Sequence, residues 1–128
     1  EAHVFINRLG DSASDSNYSE AMTATKRELR DDEIEGLFLH HELVQPRISG
    51  NGFSYGAIGP SPGFTDAQLE RLALLYVIAS FRRGVWMIPA FHCNIDEGIP
   101  DGHDDPQNFD LPRFGQALES VLNSISKI

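Results

Sequence analysis

Between Thr65 and Gly84 the chain spells out both ends of one helix, and no other stretch restricts the fold as much. Thr65-Asp66-Ala67-Gln68 is a capping box, in which the threonine side chain accepts from the amide three residues on and Gln68 reaches back. Leu69, Leu72, Leu74, Leu75, Val77, Ile78 and Phe81 follow and cover most of the circumference, as in a helix at the centre of a small core. Arg82-Arg83 set cations at the negative end of the helix dipole, and Gly84 stands just past it. The chain is therefore expected to be a mainly α, compact helical domain wrapped around this segment. At 128 residues it forms one domain, residues 1–128, able to bury a core without staples. Its single cysteine, Cys93, excludes an internal disulfide framework.

The remaining helices are read from periodicity and caps. Asp110 caps a last helix in which Leu111, Phe114, Ala117, Leu118, Val121, Leu122 and Ile125 keep amphipathic spacing. Residues 17–30 are helix-compatible, with a weak stripe of Ala21, Met22, Ala24 and Leu29. Residues 31–45 read as a further helix, with Asp31 and Asp32 in its first turn and Pro46 closing it. Ile34, Leu37, Phe38 and His41 share one face of that helix, which sets His40-His41-Glu42 at its end and Glu42 against Phe38 and Leu39. Residues 3–9 read as a short extended segment and residues 10–16 as a polar loop. Residues 85–95 are apolar, with Pro89 in the first turn of a helix reaching Glu97-Gly98; a strand up to Ile88 and then a short helix is the alternative.

Residues 47–63 carry five glycines and two prolines, which no long helix survives. A Gly50-Asn51-Gly52 turn signal between Ile48 and Phe53-Ser54-Tyr55 predicts a small β-hairpin. Gly52-Phe53-Ser54-Tyr55-Gly56 also spells G-x-S-x-G, but Gly59-Pro60-Ser61-Pro62-Gly63 follows where a nucleophile elbow needs a helix. A serine hydrolase is not expected.

A formal charge of −9 argues against nucleic acid, whose affinity comes mainly from cationic side chains on phosphates. No apolar run approaches the roughly 20 residues that cross a bilayer, so no membrane partner is expected either. A neutral or cationic substrate suits the acidic balance. The sequon Asn17-Tyr18-Ser19 and a start at Glu1-Ala2 without methionine point to a secreted, extracellular protein.

Chemistry concentrates in two constellations. In the first, Glu42 at a helix end would be pressed against apolar side chains, which raises a carboxyl pKa and suits a general acid. Together with Gly50-Asn51-Gly52-Phe53 and Tyr55-Gly56-Ala57-Ile58-Gly59, it resembles the lysozyme-like glycosidases, particularly goose-type lysozymes and lytic transglycosylases. The resemblance implies a lysozyme-like fold and a muramidase-like hydrolase cleaving glycosidic bonds in an amino-sugar polysaccharide: peptidoglycan, chitin or chitosan. It implies Glu42 as proton donor, Phe53, Tyr55, Trp86 and His41 against the sugar, no cofactor, and a monomer. No carboxylate lies between Glu42 and Asp66, so the second group would be Asp66 or come from Asp101, Asp104 and Asp105, with His103 beside them.

The second constellation is His40, His41, His92, Cys93, His103, Asp104 and Asp105, a zinc-like donor set. His41-Glu42 opens an H-E-x-x-H pattern that Gln45 breaks, so a zincin helix is absent. His103-Asp104-Asp105-Pro106 with Phe109-Asp110 resembles the closing segment of zinc-dependent peptidoglycan amidases. That likeness implies a zinc hydrolase with His40 or His41 as first ligand and His92, His103 and Asp105 as further candidates. It also implies that the first histidine rides on a strand, whereas residues 31–45 read as helix. If Glu1-Ala2 is not native and the chain begins at His3, the amine and ring of that histidine are a lesser candidate for copper. A non-catalytic carbohydrate-binding or interaction domain is the alternative from another class.

Overall fold

The computed structural model describes residues 2–31, 37–44, 63–100 and 109–126, apart from the side chain of Cys93. Val4-Phe5-Ile6 alternates in burial and forms strand β1 (Val4–Ile6), with Val4 and Ile6 in the core. Asn7 turns the chain back: its Oδ1 accepts from the amides of Leu9 and Asp11, each at 3.0 Å. Gly10 completes the turn at φ 84°, a left-handed conformation that favours glycine. Strand β2 (Ser12–Ser14) then pairs antiparallel with β1, Phe5 opposite Ala13.

Helix α1 (Lys26–Arg30) is a single turn with a complete capping box between Thr25 and Glu28. It leads towards β3 (His41–Leu43), which pairs parallel with β1, Phe5 opposite Glu42, giving the sheet order β2-β1-β3. Helix α2 (Asp66–Arg83) starts at Thr65 with both halves of its capping box formed and ends on Gly84 at φ 71°. Helix α3 (His92–Ile95) is short, and α4 (Leu111–Ser126) runs along α2.

The core lies around α2. Phe64, Leu69, Ala73 and Phe114 form its centre, with Leu43 of the sheet and Ala117, Leu118 and Val121 of α4 packed against it. Gln68, fully buried at the start of α2, ties the helix to the sheet. Its Nε2 donates to Val44 O at 2.7 Å and Ile6 O at 3.3 Å, while its Oε1 accepts from the Thr65 amide at 3.0 Å.

The capped helix at 66–83 and the last helix are as expected. Asp110 accepts from the Arg113 amide at 3.1 Å, and Phe114 is the buried anchor of α4. The mainly α expectation is corrected to a mixed α/β fold among the described residues. Its largest departure is residues 31–45: residues 37–40 are not helical and 41–43 are strand, while residues 32–36 lie outside the description. The physical reason is pairing. His40 O accepts from His3 N at 2.9 Å, and Val44 N donates to Ile6 O at 2.8 Å, bonds that lie beyond the reach of a local pattern. His41-Glu42-Leu43 satisfies a period of two as well as a period of 3.6, with Glu42 exposed and its neighbours half-buried.

Two other segments are shorter than read. Helix over 17–30 is confined to Lys26–Arg30, because Thr25 with Glu28 fixes a start there. Residues 85–91 form neither helix nor strand, and Pro89 lies outside α3. The hairpin expected between Ile48 and Tyr55 lies outside the described residues; the hairpin present is β1–β2.

Candidate functional site

Five ionisable or aromatic side chains, His3, Tyr18, Glu28, His40 and His41, meet where β1 and β3 begin. His3, fully buried, stacks on His40 with ring centroids 5.9 Å apart and an interplanar angle of 7°. The His40 amide donates to His3 Nδ1 at 3.0 Å, so that nitrogen is unprotonated and the opposite one, Nε2, donates to Glu20 O at 2.8 Å. Both ring nitrogens of His3 are thereby occupied by the protein.

His40 is buried and its Nε2 faces acceptors only: Glu28 Oε1 at 3.1 Å, Glu28 Oε2 at 3.3 Å and Met22 O at 3.2 Å. Nε2 must carry a proton to donate there. Glu28 is itself 2 % exposed and held by α1, its Oε1 accepting from the amides of Ala24 and Thr25 at 3.1 Å each. Nδ1 of His40 has no partner among the described residues.

His41, the next residue, is half-buried on β3. Its Nε2 is hydrogen-bonded to the Tyr18 hydroxyl at 2.7 Å. Burial pushes its pKa down to about 4, with the neighbouring His3 and His40 rings opposing a further positive charge. It is a neutral imidazole at neutral pH. Burial raises the pKa of Tyr18 in turn, partly offset by the Arg82 guanidinium.

α1 also reaches the segment that carries His92. Asp96, four residues past His92 and buried, accepts from the α1 amides of Lys26 at 3.1 Å and Arg27 at 3.0 Å. The Arg27 side chain donates to Ile95 O and Glu97 O. One turn of helix thus contacts the His40 ring on one side and the C-terminal end of α3 on the other. His92 is half-buried at the first position of α3.

The other expected site residues fall elsewhere. Glu42 is exposed on β3, so the helix end that was to press it against Phe38 and Leu39 is absent. Trp86 is 60 % exposed and stacks on Tyr76, centroids 6.2 Å apart. Asp66 is exposed in the first turn of α2 and ion-paired with Arg113. Phe53, Tyr55, Asp101, His103, Asp104 and Asp105 lie outside the described residues. Glu28, Tyr18 and Asp96 did not stand out in the sequence. Thr25-x-x-Glu28 was a legible signal for Glu28, since it is the same capping-box pattern that marks α2.

A zinc-binding histidine typically donates its second ring N–H to a carboxylate or a carbonyl, and His40 does so to both while its Nδ1 stays open. Among the described residues no three His, Cys, Asp or Glu side chains come together as a metal site. Comparison of the chain with protein-family models, curated proteins and solved structures finds no match.

Proposed function

We propose that the chain is a zinc-dependent hydrolase acting on amide bonds of peptidoglycan, similar to the peptidoglycan amidases. The observation that carries this reading is His40: a buried imidazole just before β3, its Nε2–H held by Glu28 and Met22 O and its Nδ1 without a partner among the described residues. The likeness to these amidases asks for a first histidine on a strand, and His40 immediately precedes β3.

In this reading His40, His92 and Asp105, with His103 as the other candidate in the same segment, hold the ion. Zinc bound there would polarise the scissile carbonyl and make water acidic enough to attack at neutral pH. His41 contributes an uncharged imidazole beside the first ligand, so no positive charge is added next to the ion. Tyr18 holds that ring in place through its hydroxyl. The exposed Asn17 of the sequon agrees with an extracellular site of action.

Elemental analysis and product chemistry test this together. Zinc at one ion per chain is expected, with new amino termini and no new reducing ends released from peptidoglycan, and 1,10-phenanthroline should stop the release. New reducing ends from a zinc-free protein would return the assignment to a glycosidase.

A further inference from the structure

We propose that the turn closing α2, from Phe81 to Ile88, docks on the surface of a bilayer rich in anionic phospholipid; this is independent of the zinc reading above. Phe81 is 85 % exposed and Ile88 89 %, and Val85 and Trp86 are exposed beside them. Together these four side chains present on the order of 500 Å² of apolar surface, as much as the largest such patch on an ordinary monomer, and patches of that size mark interaction sites. Helix termination does not account for them. Gly84 supplies the left-handed cap, and the residue after such a glycine commonly packs back on the last turn. Val85 donates its amide to Ser80 O at 3.3 Å, yet its side chain stays outside. The turn is also fastened in this position. The buried Ser80 hydroxyl accepts from the Met87 amide at 3.2 Å, the Tyr76 hydroxyl donates to Met87 O, and Trp86 stacks on the Tyr76 ring.

Charge decides the partner. From Arg71 to Ile95 the chain contains no acidic residue, although it holds 19 Asp and Glu in all. Arg82 and Arg83 are exposed within that run and have no ion-pair partner among the described residues, whereas Arg113 is held by Asp66. Glu70, the last acid of α2, precedes Arg82 by twelve residues. That is about 18 Å along a helix axis, beyond the roughly 8 Å over which charges are felt at physiological salt. An acidic protein thus carries one cationic, aromatic end. A second copy docked patch to patch would set these arginines against themselves, so the partner is negative over an apolar layer. An anionic bilayer has that order, with phosphates for Arg82 and Arg83, the headgroup boundary for Trp86 and the acyl region for Phe81 and Ile88. The expectation of no membrane partner rests on the lack of a crossing run. No helix among the described residues is long and apolar enough to cross a bilayer, and binding at its surface needs none.

Trp86 is the single tryptophan of the chain, so its fluorescence reports this turn alone. The test titrates the full chain with vesicles of phosphatidylcholine and of an equimolar mixture of phosphatidylcholine and phosphatidylglycerol. Partitioning onto the mixed vesicles, with emission shifted to the blue and quenched by brominated acyl chains, is expected. No partitioning, partitioning without quenching, or equal binding to pure phosphatidylcholine overturns the inference. Each arginine near an anionic surface gives about a fivefold gain in partitioning, so Arg82→Gln with Arg83→Gln should weaken it by about 30-fold. Phe81→Ser with Ile88→Ser should weaken it at least ten-fold at an unchanged circular dichroism spectrum, since both side chains are exposed. Wild-type partitioning in either double variant overturns the assignment to this turn. Sedimentation equilibrium without lipid examines the other occupant: a dimer that Phe81→Ser with Ile88→Ser dissolves, together with no binding to vesicles, gives the face to a second copy and overturns the inference. None of these readouts depends on zinc or on hydrolysis.

Discussion

Alanine at Gly10 and at Gly84 separates backbone strain from collision, because both glycines sit at positive φ, 84° and 71°, in very different surroundings. At Gly84, the C-terminal cap of α2, an added Cβ meets nothing within 4 Å. The penalty there is the left-handed conformation alone, about 1 kcal/mol. At Gly10 the same Cβ would stand 2.7 Å from Ala67 O and 2.9 Å from Ala67 Cβ, in the first turn of α2. The turn or the helix must move, and overpacking of this kind adds about 1–3 kcal/mol to the strain. Gly10→Ala should therefore be destabilised by about 3 kcal/mol, and Gly84→Ala by about 1 kcal/mol. Urea unfolding followed by circular dichroism reads both, with unchanged slopes and separated midpoints. Equal midpoints for the two variants would refute the close approach of the β1–β2 turn to α2.

Further outcomes follow from the site and from the helix anchor. His41, at about 4 when folded and about 6.5 when unfolded, takes up a proton in the unfolded chain first as pH falls. Its contribution to stability is complete above the unfolded value and is lost on acidification from about 6.5 to 4, at most about 3 kcal/mol; urea midpoints of the metal-free protein should fall more steeply over that window in wild type than in His41→Asn. Glu42→Gln should leave hydrolysis of peptidoglycan unchanged, since the carboxylate is exposed and unconnected to His40; abolished activity would revive it as the proton donor. Gln68→Ala should destabilise by roughly 2–3 kcal/mol, because the Thr65 amide and the Val44 and Ile6 carbonyls lose a buried partner, and a thermal midpoint within a degree of wild type would contradict that.

Legibility in the sequence followed the range of the interactions involved. α2 and α4 announce themselves because their caps, Thr65 with Gln68 and Asp110 with Arg113, lie within three residues of each other. β3 does not, because what selects strand over helix at His41 is Val4, its partner across the sheet, thirty-seven residues earlier. The apolar spacing of Leu37, Phe38 and His41 was real but is used by tertiary contacts instead, Phe38 lying 6.2 Å from the His40 ring. The site shares this division. His40 and His41 were visible as residue types with metal chemistry, whereas Glu28 acquires meaning only when α1 folds back on His40. The cap that would have placed α1 was written in Thr25 and Glu28 and was obscured by the long helix-compatible stretch around it.

The buried amide of Gln68 also orders events in time. Its two acceptors are Ile6 on β1, at a separation of 62 residues, and Val44 just past β3, at 24. Neither acceptor is in position until the β1–β3 ladder has formed, and closure of those two loops is the slow, entropy-opposed part of assembly. The first turn of α2 can form alone, on its own capping box, but it locks onto the sheet only after that closure. Mutations at Gln68 should therefore speed unfolding while leaving the rate of folding nearly untouched, which marks this side chain as a latch on the finished molecule rather than a part of its nucleus.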